Sequence, residues 1–327
     1  MNEFMTHVTI PELKSKITYH HNLFFIGSCF SDTIGAKMKE LLFPVCHNPF
    51  GVIYNPLSVA SNLGLLLEKE SFTEKDLSFY NELWFSYSHY TRFSHPDKEK
   101  CLKNINSVFK EARQFIYKAN FIFITLGTSW VFQLMKTGQV VANCHKQPAS
   151  LFHHNFISSE QSYESLKQCI KSIKKVNPDA KFIFTVSPIR HWKDGAINNQ
   201  RSKAALLLAI AKLQEWDNEI YYFPAYEIFM DELRDYRFYA SDMLHPSESA
   251  ENYIWKKFII NLVAEKDLQL LQNVQKIVTS VKHKPLSPDT KAYSNFKIDI
   301  INKIKNLSDK NRFLDFTELL KSMDNNV

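Results

Sequence analysis

Apolar residues gather along this chain in short unbroken runs that alternate with stretches of helical spacing. Leu23-Phe24-Phe25-Ile26 is such a run, closed by Gly27, and reads as a buried parallel strand. Behind it, Ile34, Met38, Leu41 and Leu42 recur at helical spacing, so strand, tight turn and helix follow in order. Asn55-Pro56 opens a second helical pattern through Leu57, Ala60, Leu63 and Leu67, with proline near the first turn. A long amphipathic helix is expected from about Lys98 to Lys118, and Phe121 to Leu126 forms the second apolar strand, again ending at a glycine, Gly127. Trp130 to Ala142, with Lys136-Thr137-Gly138 in its middle, predicts a β-hairpin. Ser158 and Gln161 have capping-box spacing ahead of a helix through Leu166, Ile170 and Ile173. Lys181 to Val186 and Ile220 to Phe223 supply two more strands, with helices expected over 202–216 and 246–263. The aromatic stretch from Phe72 to His95 shows no clear period.

Strands that alternate with helices imply an α/β protein: a three-layer α/β/α sandwich around a parallel sheet of about five strands. Beyond Lys266 the pattern changes to polar helices broken by Lys284-Pro285-Leu286-Ser287-Pro288. The expected division is therefore a domain over 1–265 and a helical C-terminal extension over 266–327, which packs on the domain or projects from it.

Composition narrows the function classes. Of 327 residues, 45% are hydrophobic and 23% charged, ordinary values for a globular chain. The formal charge of +6 comes from basic residues scattered along the helices, so no nucleic-acid partner is expected. No apolar run approaches the ~20 residues of a membrane span, and the first residues lack the pattern of a secretory signal. Five cysteines at irregular spacings do not form a disulfide framework, so a cytoplasmic location is expected. Cys46-His47 and Cys144-His145 lack the spacing of a usual zinc site, so no metal is assigned.

In open parallel sheets, functional groups collect at the carboxyl ends of the strands. Gly27-Ser28-Cys29, Gly127-Thr128-Ser129 and Ser187-Pro188-Ile189-Arg190 all fall at such ends. Asp242 and His245 lie three residues apart just before a helix, a spacing that lets a carboxylate orient an imidazole whose other nitrogen faces a nucleophile. Taken alone, the same pair also suits a capping aspartate beside a surface histidine.

A nucleophile candidate near the start, followed by Asp-x-x-His near the domain's end, resembles the SGNH/GDSL hydrolase superfamily. Gly27-Ser28-Cys29-Phe30, followed by Asn48-Pro49-Phe50-Gly51, more closely resembles the GSCFA-domain family, which is grouped with those hydrolases. Ala142-Asn143-Cys144-His145-Lys146, Ser187-Pro188-Ile189-Arg190 and Ser202-Lys203 strengthen the match, which covers roughly residues 20–260. The resemblance implies an SGNH-hydrolase or flavodoxin-like fold and ester or thioester hydrolysis. Aligned with the superfamily's Gly-Asp-Ser block, Cys29 stands at the nucleophile position, with Ser28 as the alternative. A helix N-terminus and His245 would both favour its thiolate. Asp242 would orient His245, the general base.

The superfamily's third-block asparagine is missing at Gly127-Thr128-Ser129. Gly51 and Gly127 would then supply backbone amides to the oxyanion, with Thr128, Ser129 or Asn143 replacing the side-chain donor. Asn143 would share a cleft with Cys29, Gly51 and His245. His145 would either line that pocket or cap the hairpin, and Arg190, His191 and Lys203 would contact a substrate anion or lie on a solvated surface. The implied substrate is a small-molecule or carbohydrate acyl conjugate, and the chemistry requires no cofactor. An acyltransferase of the same fold and a non-catalytic binding module are the alternatives, and the oligomeric state is not encoded in these motifs.

Overall fold

The computed structural model describes residues 5–283 and 290–324; the Lys284-to-Pro288 break lies outside them. Five strands form one parallel sheet: β1 (Leu23–Gly27), β2 (Val45–His47), β5 (Phe121–Leu126), β9 (Lys181–Val186) and β10 (Ile220–Tyr222). Their order is β10-β9-β5-β1-β2. The chain therefore runs outward in both directions from β1 and β5, and the gap between those two strands is the switch point where open α/β sheets carry their sites.

Alternation along the strands builds two cores. Phe25, Phe123 and Ile183 face one layer, shared with α1 (Cys29–Glu40) and α7 (Glu248–Leu262). Phe24, Ile26, Ile122, Ile124, Phe182 and Phe184 face the other, against α2 (Pro56–Glu68), α3 (Lys98–Ile116), α4 (Ser159–Val176) and α5 (Gly195–Trp216). Residues of period two thus bury both faces of the sheet, which is why its strands read as continuous apolar runs. The caps appear where the sequence placed them. Asn55 accepts the Ser58 amide at 2.8 Å, and Ser158 and Gln161 form a reciprocal capping box.

Several elements exceed the expectation. The aromatic stretch holds the small hairpin β3 (Ser78–Tyr80) and β4 (Leu83–Phe85). The second hairpin, β6 (Trp130–Leu134) with β7 (Val140–Val141), gains a third strand, β8 (Phe152–Phe156), which carries His153 and His154. Helix α5 begins seven residues before Ser202. After β10 the chain makes the short turn α6 (Ala225–Glu227) and a wider helical turn to Glu232 before the loop that carries Asp242.

The C-terminal extension packs on the domain. Helix α8 (Glu265–Lys282) buries Leu271, Val274, Ile277, Val278 and Val281 in the same cluster as α1 and α7. Helices α9 (Lys291–Lys310) and α10 (Thr317–Asp324) add Ile300, Ile304 and Met323 to it. Among the described residues, no helix is long and apolar enough to cross a membrane.

Candidate active site

The turn after β1 is set by backbone geometry. Gly27 has φ +140°, and a Cβ there would lie 2.1 Å from the carbonyl oxygen of Thr125 on β5, so only glycine fits. The Gly27 amide donates to Asn48 Oδ1 at 2.9 Å, and Asn48 Nδ2 donates to Asp32 Oδ1 at 3.2 Å. Asn48, wholly buried, also donates its own amide to Phe25 O. It therefore ties the loop after β2 to the start of α1. The sequence reading passed over Asn48, although it sits in the same block as Gly51.

Ser28 precedes the first turn of α1 but is only 1% exposed, and its Oγ is sealed with no hydrogen-bond partner. Cys29, the first helical residue, is partly exposed. Burial raises its thiol pKa, opposed by hydrogen bonds from the Cys29 and Phe30 amides, which lower it; Asp32 and Glu251 raise it further. The expected resting thiolate is therefore corrected. The helix N-terminus does act on the sulfur, but desolvation outweighs it.

Asp242 and His245 form the hydrogen-bonded pair that their spacing predicted. Asp242 Oδ2 lies 2.5 Å from His245 Nδ1, while Oδ1 accepts the amides of Leu244 and His245, both at 2.9 Å. Those two amides and then the imidazole hold the Asp242 carboxyl down at about 2. Both side chains are about half exposed, so the pair borders solvent.

The loops after β5 and β9 close on a buried lysine. Lys203 on α5 is 0% exposed, and its Nζ donates to Gly127 O and Ser187 O, each at 2.8 Å. It clasps the loops that leave β5 and β9. Burial lowers its pKa to about 7, with Cys29 raising it and Arg190 lowering it. The surface alternative for Lys203 is thus overturned. Its signal was present in the sequence, since Lys203 shares a helical face with Leu206, Ile210 and Leu213. His191 packs beside it, with Nε2 against Gly127, and burial followed by the charges of Lys203 and His245 lowers its pKa to about 4. Tyr54, edge-on to the His191 ring at 5.1 Å, also flanks Gly127. Its hydroxyl is pushed up to about 12, first by burial and then by Cys29. The Cys29 charge thus reaches Lys203, and the charges of Lys203 and His245 reach His191, at the carboxyl end of the sheet.

The groups expected around the oxyanion are differently engaged. The Gly51 amide donates to Asn48 O at 2.8 Å, closing a turn, and its Cα packs against Tyr90. The amides of Gly127 and Thr128 both donate to Tyr54 O, at 2.7 and 3.0 Å. Thr128 Oγ1 meets Ser202 Oγ at 3.1 Å inside the protein, and the Ser129 side chain donates to Ser202 O. His145 is buried, stacked on Phe85 and bonded through Nε2 to Ser86 O at 3.0 Å, so it secures the hairpins rather than a pocket. Asn143 accepts the His145 amide and lines a cleft of about 430 Å³ with Tyr54, Thr128, Trp130 and His191. Cys29, Gly51 and His245 do not line that cleft. Arg190 and Asp242 line another, of about 530 Å³. Among the described residues no cluster of three or more metal-ligating side chains occurs.

Among solved structures, an acetyl xylan esterase (Est2A) from the rumen bacterium Butyrivibrio proteoclasticus is similar at 13% identity, with a TM-score of 0.39. The match covers 79% of this chain, which spans 66% of the esterase's length. No curated protein matches the sequence. The family comparison is direct: the GSCFA family model matches residues 22–258, and the model described as GSCFA domain protein, C-terminal domain, matches 274–326. The chain, with Gly27-Ser28-Cys29-Phe30 at its switch point, belongs to the GSCFA family.

Proposed function

We propose that this protein is an acyl hydrolase that cleaves ester or thioester bonds through a covalent intermediate on Cys29. One observation carries the reading. A histidine held at 2.5 Å by a carboxylate lies at the same end of the sheet as a partly exposed thiol on a helix N-terminus. Ser28 is the weaker nucleophile because its Oγ is sealed from solvent.

In the proposed step, His245 Nε2 takes the Cys29 proton as Sγ attacks the acyl carbonyl carbon. The first-turn amides of α1, which meet the Cys29 sulfur in the resting protein, receive the developing oxyanion as Sγ moves onto the carbonyl carbon. The bond from the carbonyl carbon to the leaving oxygen or sulfur then breaks, and His245 returns the proton to that leaving group. Water repeats the sequence: His245 removes its proton, its oxygen attacks the thioester carbon, and Sγ departs and regains a proton as the carboxylic acid is released. Asp242 keeps the proton on Nδ1 and stabilises the imidazolium. Coupling proton transfer to attack suits a nucleophile whose resting form is the thiol. Small-molecule or carbohydrate acyl esters are the substrate class.

Acyl transfer is the second reading, favoured by the two clefts on either side of the 190–194 segment, which offer separate places for donor and acceptor. The test is release of acetate from 4-nitrophenyl acetate and from an acetyl thioester. Cys29→Ala and His245→Ala should each lose on the order of 10²-fold or more, with Ser28→Ala retaining most of the rate. Wild-type rates in Cys29→Ala would overturn the reading.

A further inference from the structure

The 530 Å³ cleft is walled by Trp192, Tyr236 and Tyr239 and lined by two arginines, Arg190 and Arg234, and two aspartates, Asp235 and Asp242. Arg234 is ion-paired to Asp231 at 2.9 Å. Arg190 is different. Its side chain is half-buried, its guanidinium lies 5.3 Å from the centre of the Trp192 ring, and its Nε is sealed from solvent with no acceptor. Among the described residues no carboxylate lies within ion-pair distance of it.

The nearby acids are already committed. Asp242 accepts two amides and the His245 ring, and Asp235 accepts the Arg237 amide at 2.9 Å and faces the Arg237 guanidinium. The Arg190 charge nevertheless reaches inward: it biases Lys203, Tyr226 and Tyr239 towards deprotonation. A guanidinium stays charged at any working pH, presents five donors in a planar fork, and matches carboxylate or phosphate in two parallel bonds. Held against an aromatic face, partly desolvated and without an internal acceptor, such a fork is organised for an anion from outside.

We propose that this cleft is an anion-binding subsite, in which Arg190 grips a carboxylate or phosphate group of the substrate between Trp192 and Tyr239. Resting on the hydrolase reading for the word substrate, the inference makes the natural substrate an anionic ester or thioester. Its charged group is held by Arg190 while its acyl carbon is turned towards Cys29.

Calorimetric titration of the full chain with succinate and with inorganic phosphate, at low ionic strength, tests the subsite without turnover. At least one anion should bind saturably at one site per chain. Cys29→Ala should keep that affinity, and Arg190→Gln should lose at least about tenfold, as expected for a charge-assisted bidentate contact. Which anion binds separates carboxylate from phosphate recognition. In the unaltered protein, phenylglyoxal should modify Arg190 ahead of the paired Arg234, and the binding anion should slow that reaction. This second measurement does not depend on a variant folding. Failure of both anions to bind, equal affinity in a folded Arg190→Gln protein, or modification unaffected by the anion would overturn the subsite. A failed hydrolase reading would instead appear in the Cys29→Ala kinetics, leaving this titration unchanged.

Discussion

Replacing Lys203 with methionine separates two effects of opposite sign. The substitution leaves Gly127 O and Ser187 O without the donor that each meets at 2.8 Å inside the protein. Two buried carbonyls stripped of their partners cost about 2–5 kcal/mol. It also removes a cation that the fold keeps wholly buried, with its pKa drawn down from 10.5 to about 7. A base whose folded pKa is lowered contributes stability that is complete above its unfolded value and is lost as pH falls towards the folded one. Above pH 7 the native state holds a neutral amine, whose two N–H groups still suit the two carbonyls, while the unfolded chain stays protonated. Between pH 6.5 and 9.5 the wild type should therefore gain about 3 kcal/mol relative to Lys203→Met. Near pH 6.5 the lost bonds and the removed desolvation penalty should largely cancel, leaving the two proteins close in stability. Urea unfolding at both pH values, followed by circular dichroism, gives the comparison. A gap that stays constant with pH, or narrows as pH rises, would refute the assignment of Lys203 as a buried, easily deprotonated clasp.

Other outcomes follow from the same geometry. Alkylation of Cys29 by iodoacetamide should keep accelerating beyond pH 9 without a plateau near neutrality, because burial raises the thiol; a plateau at pH 6–7 would mean a preformed thiolate. His89, His145 and His191 are lowered by burial to about 3, 4 and 4, so their contribution is present above about pH 6.5 and is lost as pH falls. By pH 5 each should cost on the order of 2 kcal/mol, and His89→Phe, set among Phe50, Phe72 and Phe93, should remove its own share from a urea titration. Gly27→Ala should destabilise the fold by roughly 3 kcal/mol or more, since the added carbon meets strand backbone at 2.1 Å; a near-normal melting temperature would contradict the packing of β1 on β5.

The parallel sheet was legible because its inner strands bury both faces, so Leu23 to Ile26, Phe121 to Leu126 and Lys181 to Val186 stand out as apolar runs. Edge strand β2 was not, because Val45-Cys46-His47 is three residues long and half-buried throughout. The three-residue spacing of Asp242 and His245 gave their hydrogen bond directly, since a contact so local needs little tertiary information. The oxyanion assignments depended on where backbone amides point. That is fixed by neighbours far along the chain, as when Tyr54 O takes the amides of both Gly127 and Thr128. The resting state of Cys29 was misjudged for a related reason: a helix N-terminus is visible in sequence, but the depth of burial that outweighs it is not. Lys203 shows the opposite failure. Its helical face was readable, yet its charge pointed to a substrate anion or to the surface, and not to the two backbone carbonyls that hold it.

The central claim, an acyl-enzyme on Cys29, is tested most directly by rapid quenching of the protein during turnover of 4-nitrophenyl acetate, followed by peptide mass mapping. The account predicts an acetyl group on the Cys29 sulfur that accumulates with the burst of nitrophenol. The adduct should be absent from Cys29→Ala and form slowly in His245→Ala. An adduct on Ser28, or steady turnover with Cys29 unmodified and Cys29→Ala fully active, would contradict it.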